Sequence, residues 1–275
     1  MKSTHKKFWI TIASVTLIAS LSACSKSSSQ ATGCTDTVTP DTLTIATGNP
    51  AYSPWVEDDK PESGKGFEAA VAYAVAEKLG YAKDAVTWVR TPFDSVIAPG
   101  KKNFDFNIQQ FTITDERKKA VDFSSPYYTA PQAVVTYEGT PIAGVTDLAG
   151  LKSAKLGVAI GTTSLDAAKN QIGVDPQVFN DNAAGVTALK NGQVDGLVVD
   201  LPTALYLAAV EVEGGMVLGQ LPSDGSGDQF GLLLAKDSPL TKCVSDAVDA
   251  LKEDGTLDSI ATQWMESDSV ARVLN

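Results

Sequence analysis

The arginine of Ile108-Gln-Gln-Phe-Thr-Ile-Thr-Asp-Glu-Arg117 has the most definite chemistry in this chain. Arg117 follows a Thr-rich turn at the mouth of an apolar strand. Its planar fork matches a carboxylate with two parallel hydrogen bonds. Thr112, five positions earlier, offers an amide and a hydroxyl to the same small ligand. Farther along, Gly161-Thr162-Thr163 opens a helix. Free N–H groups and the helix dipole favour an anion there. Asp200 ends the apolar run Gly196 to Val199 and can accept from an ammonium group. Each piece has an ordinary alternative: a Gly-Thr-Thr start is also a cap, and an Asp at a strand end is also an N-cap.

The arginine segment runs on to Val121-Asp-Phe-Ser-Ser-Pro-Tyr-Tyr128. Together they resemble the solute-binding proteins of polar amino-acid importers, the family-3 type, in which S/T-I-T-x-x-R precedes D-F-S-x-P-Y-Y. The resemblance runs from about Leu43 to Trp264. It implies an α/β, two-lobed, periplasmic-binding-protein-like (type II) fold with a two-strand hinge and a ligand cleft between the lobes. Lobe 1 is expected at residues 41–131 plus 226–275, and lobe 2 at 132–225. The crossings fall near Ala130 to Val135 and near Ser223 to Gln229.

The resemblance also implies roles. Arg117 clamps an α-carboxylate, helped by Thr112, Thr162 and Thr163, and Asp200 takes the α-ammonium. Opposite charges at the two ends of the site suit a zwitterion and leave none unpaired when water is expelled. Tyr52 stacks on the ligand, Phe93 forms a second wall, and Trp55 covers the same edge, although aromatics also fill cores. Gln110 and Ala159 line the pocket, and Asn49, Glu57 and Gln109 are candidates for selectivity. Relatives often carry small residues where Gln109 and Gln110 stand. Amides suit a neutral polar side chain such as glutamine. Glu57 or Asp58 at the rim would instead favour arginine or lysine. Ala159 brings no positive charge, which counts against an acidic ligand. Neutral polar therefore ranks first and cationic second.

The start of the chain reads as a targeting signal. Lys2, His5, Lys6 and Lys7 precede the apolar run Phe8 to Leu21, which is of signal-peptide length. It ends at Leu21-Ser22-Ala23-Cys24, which resembles a lipobox. Residues 1–23 are then a signal peptide and 24–40 a lipidated flexible tether anchored through Cys24. The expected location is extracytoplasmic, on the outer face or periplasmic side of the cell membrane. Cys34 and Cys243 remain, and an exported chain pairs such cysteines; two buried free thiols are the alternative. A bridge across a loop of roughly 200 residues would contribute about 4–5 kcal/mol in a chain-entropy account.

Strand-like and helix-like segments alternate, pointing to largely parallel sheets. Strands are expected at Leu43–Thr47, Val86–Val89, Phe104–Ile108, Lys155–Ile160, Gly196–Val199 and Phe230–Ala235. The Gly66–Leu79 helix places Phe67, Ala70, Val71, Ala74, Val75 and Leu79 on one face. Further helices are expected near Ser164, over Ala183–Lys190, from a Ser238-Pro239 cap to Asp254, and over Leu257–Met265.

Other classes fit poorly. The net charge of −11 becomes −14 once residues 1–23, with three lysines and no acid, are removed. That argues against a nucleic-acid partner. The single histidine, His5, lies in the leader, so the mature chain has no histidine-based catalysis or metal ligation. No phosphate-binding glycine loop is present. The expected partners are a free amino acid and membrane permease subunits of an ABC importer, with no cofactor and a monomeric chain. A sensor for a membrane receptor would use the same site. A cyclohexadienyl dehydratase-like enzyme on the same fold would need a cleft carboxylate, with Glu57 as the candidate.

Overall fold

The computed structural model describes residues 34–223, 227–265 and 271–275. The leader, Cys24 and most of the expected tether lie outside these residues. Two five-stranded sheets form the framework. The first has the order β2-β1-β3-β10-β4, with β1 Leu43–Thr47, β2 Val86–Arg90, β3 Phe106–Asn107, β4 Val121–Ala130 and β10 Asp228–Ala235. The second has the order β7-β6-β8-β5-β9, with β5 Gln132–Tyr137, β6 Leu156–Ala159, β7 Gln177–Phe179, β8 Gly196–Asp200 and β9 Gly215–Gln220. The chain passes from one sheet to the other between Ala130 and Gln132 and returns between Gln220 and Asp228.

The expectation of largely parallel sheets needs correcting. β1 pairs in parallel with β2 and β3, but β10 runs antiparallel to β3 and β4. Likewise β6 is parallel to β7 and β8, while β5 is antiparallel to β8 and β9. The reason is local to the crossings. A strand that enters a lobe through the hinge and the strand beside it run in opposite directions, and no helix is needed between them. Pro126 sits inside β4, where a proline removes a ladder donor. Register shifts at Gly231 accommodate it.

Seven α-helices cover the sheets: α1 Phe67–Lys78, α2 Phe93–Ile97, α3 Thr163–Ala167, α4 Asn182–Lys190, α5 Leu201–Tyr206, α6 Thr241–Glu253 and α7 Thr256–Met265 among the described residues. α1 departs from the single-face expectation. Phe67, Val71, Val75 and Leu79 are buried as read, but Ala69, Ala72, Ala76 and Glu68 are buried too, whereas Ala70 and Ala74 are only partly so. The helix lies in a trough against β-sheet, α6 and α7, so a broader face than one stripe is covered. α6 begins three residues after Ser238, with Leu240 as N-cap and no side-chain cap bond. The Ser238-Pro239 signal marks a preceding turn instead, in which the Ser238 carbonyl accepts from Thr241 N.

Each sheet has its own apolar core. Leu43, Ile45, Trp55, Phe67, Phe106, Phe230 and Leu232 belong to the first. Val134, Leu151, Leu156, Val158, Val198 and Leu218 belong to the second. Cys34 and Cys243 are joined, with Cα atoms 5.9 Å apart, which ties the chain before β1 to α6. The end of the chain departs from its expected place in lobe 1. Val273 bridges to Gln220 and Leu274 is fully buried in the second core. An apolar slot beside Gly219, whose Cβ would lie 2.7 Å from Leu274, receives it.

Candidate functional site

Strand ends from both sheets and the starts of α2, α3, α4 and α5 converge on one cavity between the sheets. It encloses about 100 Å³ and is lined, among others, by Tyr52, Phe93, Gln110, Thr112, Thr163 and Asp200. That is small beside the usual drug-sized pocket, so its occupant is a small solute. Ala159, Thr162, Asn49 and Gln109 also line it. Trp55 and Glu57 do not, contrary to expectation. Trp55 is buried in the first core, edge-on to Phe67, Tyr128 and Phe230. Glu57 opens the short 3-10 turn Glu57–Asp59. Glu57, the candidate acid of the dehydratase-like alternative, is therefore not among the lining residues.

Arg117 is the second departure. Its guanidinium is buried beside the cavity rather than among the lining residues. Nη1 donates to the Thr112 carbonyl at 2.7 Å and Nη2 to the Gly161 carbonyl at 2.8 Å. The Phe93 ring lies 5.6 Å away, within cation–π range. Burial pulls the Arg117 pKa down to about 10, opposed by the nearby Asp228 and Asp166 carboxylates. The group remains a cation at neutral pH, with donors beyond these two bonds to offer an anion.

Asp200 fills two roles that the sequence left as alternatives. It caps α5, accepting from Thr203 N and from Thr203 Oγ1, both at 2.9 Å, and it lines the cavity. Burial raises its pKa to about 6, against the lowering effect of those two bonds. An ammonium placed beside it would favour the ionised form.

A chain of hydroxyls runs across the cleft, and its direction is fixed. The Thr163 hydroxyl donates to Asp228 Oδ2 at 2.7 Å, because a carboxylate only accepts. Its single proton is thereby used, so at the 3.1 Å contact the Thr112 hydroxyl is the donor. Asp228 Oδ2 also accepts from Gln132 Nε2 at 2.7 Å, and Gln132 Oε1 accepts from the Ser164 hydroxyl at 2.6 Å. Trp55 Nε1 donates across the cleft to Thr203 Oγ1 at 2.9 Å. With these bonds and the Arg117–Gly161 bond in place, the two halves are closed on each other.

Sequence reasoning missed Gln132, Ser164, Asp228, Thr203 and Asp181. Gln132 and Asp228 each begin a hinge strand, and a polar residue at the head of an apolar run was the available signal. Asp181 lines the cavity while capping α4 through Ala184 N. Tyr52, facing it, has its pKa pushed up to about 12 by burial first and then by Asp181 and Glu211. Asp181 and Asp200 are the charged side chains of the lining. Among the described residues, Gln109 Oε1 is buried without a hydrogen-bond partner.

Residues 43–267 match the model of the bacterial extracellular solute-binding proteins, family 3. The chain belongs to that family. Among curated relatives, the L-cystine-binding protein TcyJ of Escherichia coli is 32% identical over 209 residues, 74% of this chain and 75% of its own length. The ABC transporter glutamine-binding protein GlnH of Bacillus subtilis is 31% identical over 217 residues, 76% of each. In solved structures, an ancestral arginine-binding protein bound to glutamine superposes with a TM-score of 0.70 at 33% identity, covering 83% of this chain and 100% of that one. An ancestral arginine-binding protein bound to arginine gives 0.68 at 33% identity, covering 82% and 99%. As a family-3 solute-binding protein, the chain is an extracytoplasmic binding component with a cleft between two lobes. Among the described residues, no helix is long and apolar enough to cross a membrane.

Proposed function

We propose that this protein is the lipid-anchored receptor subunit of an ABC importer and that it captures a free L-α-amino acid with a neutral polar side chain, glutamine first. The observation that carries this reading is the shared wall of Thr112, Thr163 and Asp200, with the Arg117 cation directly behind it. A carboxylate meeting Arg117 and the Thr163 helix start, and an ammonium meeting Asp200, use both ends of a zwitterion. The solute side chain then meets Gln109, Gln110, Asn49 and Asp181. The partnerless Gln109 Oε1 favours a donor such as an amide NH₂. No cationic side chain lines the cavity to receive an acidic ligand. Asp181 supports a cationic amino acid as the second choice, in line with the ancestral arginine-binding proteins solved with arginine and with glutamine.

Ligand closes the lobes through contacts made only in the closed form, and the closed form is the one a permease reads. The anchor is the Cys24 thioether of the lipobox reading. A thermal-shift screen of the mature chain against the proteinogenic amino acids tests the assignment, because a ligand bound only to the folded state raises the melting point. Glutamine is expected to give the largest shift and arginine the next. A largest shift with glutamate or aspartate, or none with any amino acid, overturns it. Mass spectrometry of the membrane-extracted protein tests the anchor, with a diacylglyceryl group expected at Cys24.

A further inference from the structure

Glu68 is a fully buried carboxylate in the first turn of α1. Among the described residues, no lysine or arginine side chain bonds to it; its partners are hydrogen-bond donors. Gln110 N donates to Oε1 at 2.8 Å, Gln110 Nε2 donates to Oε2, and the Tyr127 hydroxyl donates to Oε1. Gln110 is thus held by its backbone and its side chain at once. It lines the cavity. It also has φ +50, a left-handed conformation that a glutamine adopts only when its surroundings enforce it. Gly66 fixes the other side of the arrangement. Its φ is +100, and a Cβ there would lie 2.6 Å from the Trp55 carbonyl, which in turn accepts from Glu68 N.

We propose that Glu68 is a positioning residue for ligand recognition: its ionised carboxylate holds the Gln110 amide with the nitrogen end inward, so that Gln110 turns its oxygen to a donor on the bound amino acid. The inference rests on the reading of the cleft as an amino-acid site. A carboxylate has no proton to give, so it fixes the amide one way round. A protonated carboxyl group has an O–H to donate, which pairs with the amide oxygen and turns the NH₂ toward the cavity. The polarity of that wall therefore follows the charge on Glu68. Burial raises the Glu68 pKa to about 7, against the lowering effect of the Tyr127 and Gln110 bonds. The titratable groups facing it are Tyr127 from β4 and Asp200 from the end of β8, the latter raising it further. Ligand donors at Gln110 are matched to the ionised form, so affinity falls as pH falls through this range.

Calorimetric titration of L-glutamine and L-arginine into the mature chain between about pH 5.5 and about pH 8.5 tests the inference. Wild type is expected to weaken about tenfold toward the acid end with an inflection near pH 7, a size typical of coupled neighbours. Glu68→Gln should bind about tenfold more weakly at the alkaline end and lose that inflection, keeping only the lower one due to Asp200. Gln110→Ala should cost about as much, and adding Glu68→Gln to it should cost nothing more. Wild-type affinity for Glu68→Gln at the alkaline end, or full additivity of the two changes, overturns the inference. Tyr127→Phe removes one donor and should move the wild-type inflection upward, so a variant of Glu68 that does not fold leaves a decisive measurement. An unmoved inflection in Tyr127→Phe sinks the idea. No binding of either amino acid by wild type refutes the amino-acid reading itself.

Discussion

Arg117 and Gly161 belong to opposite lobes, yet the guanidinium Nη2 donates to the Gly161 carbonyl at 2.8 Å. The cation expected to hold the ligand therefore also fastens the lobes together. Gly161 has φ +74, a left-handed turn that presents its carbonyl to the cleft ahead of α3.

Arg117→Ala removes the buried cation and leaves the Thr112 and Gly161 carbonyls without their donors. Amino-acid affinity is expected to fall by about 2–5 kcal/mol. Arg117→Lys should recover only part of it, because an ammonium lacks the planar fork. Calorimetry reads both. Small-angle scattering of the ligand-saturated variant should show a more open molecule than wild type, and an unchanged profile would remove Arg117 from the closure.

Trp55→Phe keeps an aromatic in the first core but deletes the Nε1 donor to Thr203. That bond exists only while the lobes are closed, so its loss weakens binding by about 0.5–1.5 kcal/mol. Thr203→Val should cost more, since it also strips a donor from Asp200. The double variant should cost less than the two changes summed. Strict additivity would mean the bond across the cleft contributes nothing to closure.

Apo stability and ligand affinity should respond to acid in opposite directions. The folded-state pKa of Asp200 is raised to about 6 from the ordinary 3.8, and that of Glu68 to about 7. Between the unfolded and folded values the native state binds more protons, so unfolding free energy falls as pH rises through that window. The ligand-free melting temperature should therefore rise as pH drops from neutral toward the ordinary carboxylate range. Affinity for the α-ammonium should decline over the same interval as Asp200 protonates. Asp200→Asn flattens the part of the apo slope that Asp200 contributes and abolishes most amino-acid binding. Melting curves and titrations across pH check both signs.

Reducing the Cys34–Cys243 bridge should destabilise the first lobe by up to about 4–5 kcal/mol, the chain-entropy figure for a loop of this length. The bridge lies at α6, away from the cavity lining. Denaturant midpoints with and without reductant should differ, whereas the affinity of the folded, reduced protein should not. Alkylation without reductant should label neither cysteine.

Much of the site was legible because its chemistry is carried by short runs. The Thr112 to Arg117 string, the Gly161-Thr162-Thr163 helix start and Asp200 at a strand end each announce a backbone feature as well as a side chain. What the sequence could not show was the partnering of residues far apart. Asp228 gathers Thr163 and Gln132 from 65 and 96 positions away, and its place at the head of an apolar run does not reveal those partners. Glu68 was hidden in a helix read as one apolar stripe. Trp55 looked like a ligand wall because it follows Tyr52, but its ring is taken by Phe67 and Phe230. Strand β4 was obscured by Pro126, which a bulge accommodates only because β10 lies beside it.

The return of Leu274 to the second core gives the far end of the chain a use as a reporter. A fluorophore on the exposed Asn275 rides with one half of the molecule, and a second on the outer side of α7 rides with the other. Energy transfer between neighbouring stretches of one polypeptide would then register solute capture, with neither dye near the cavity.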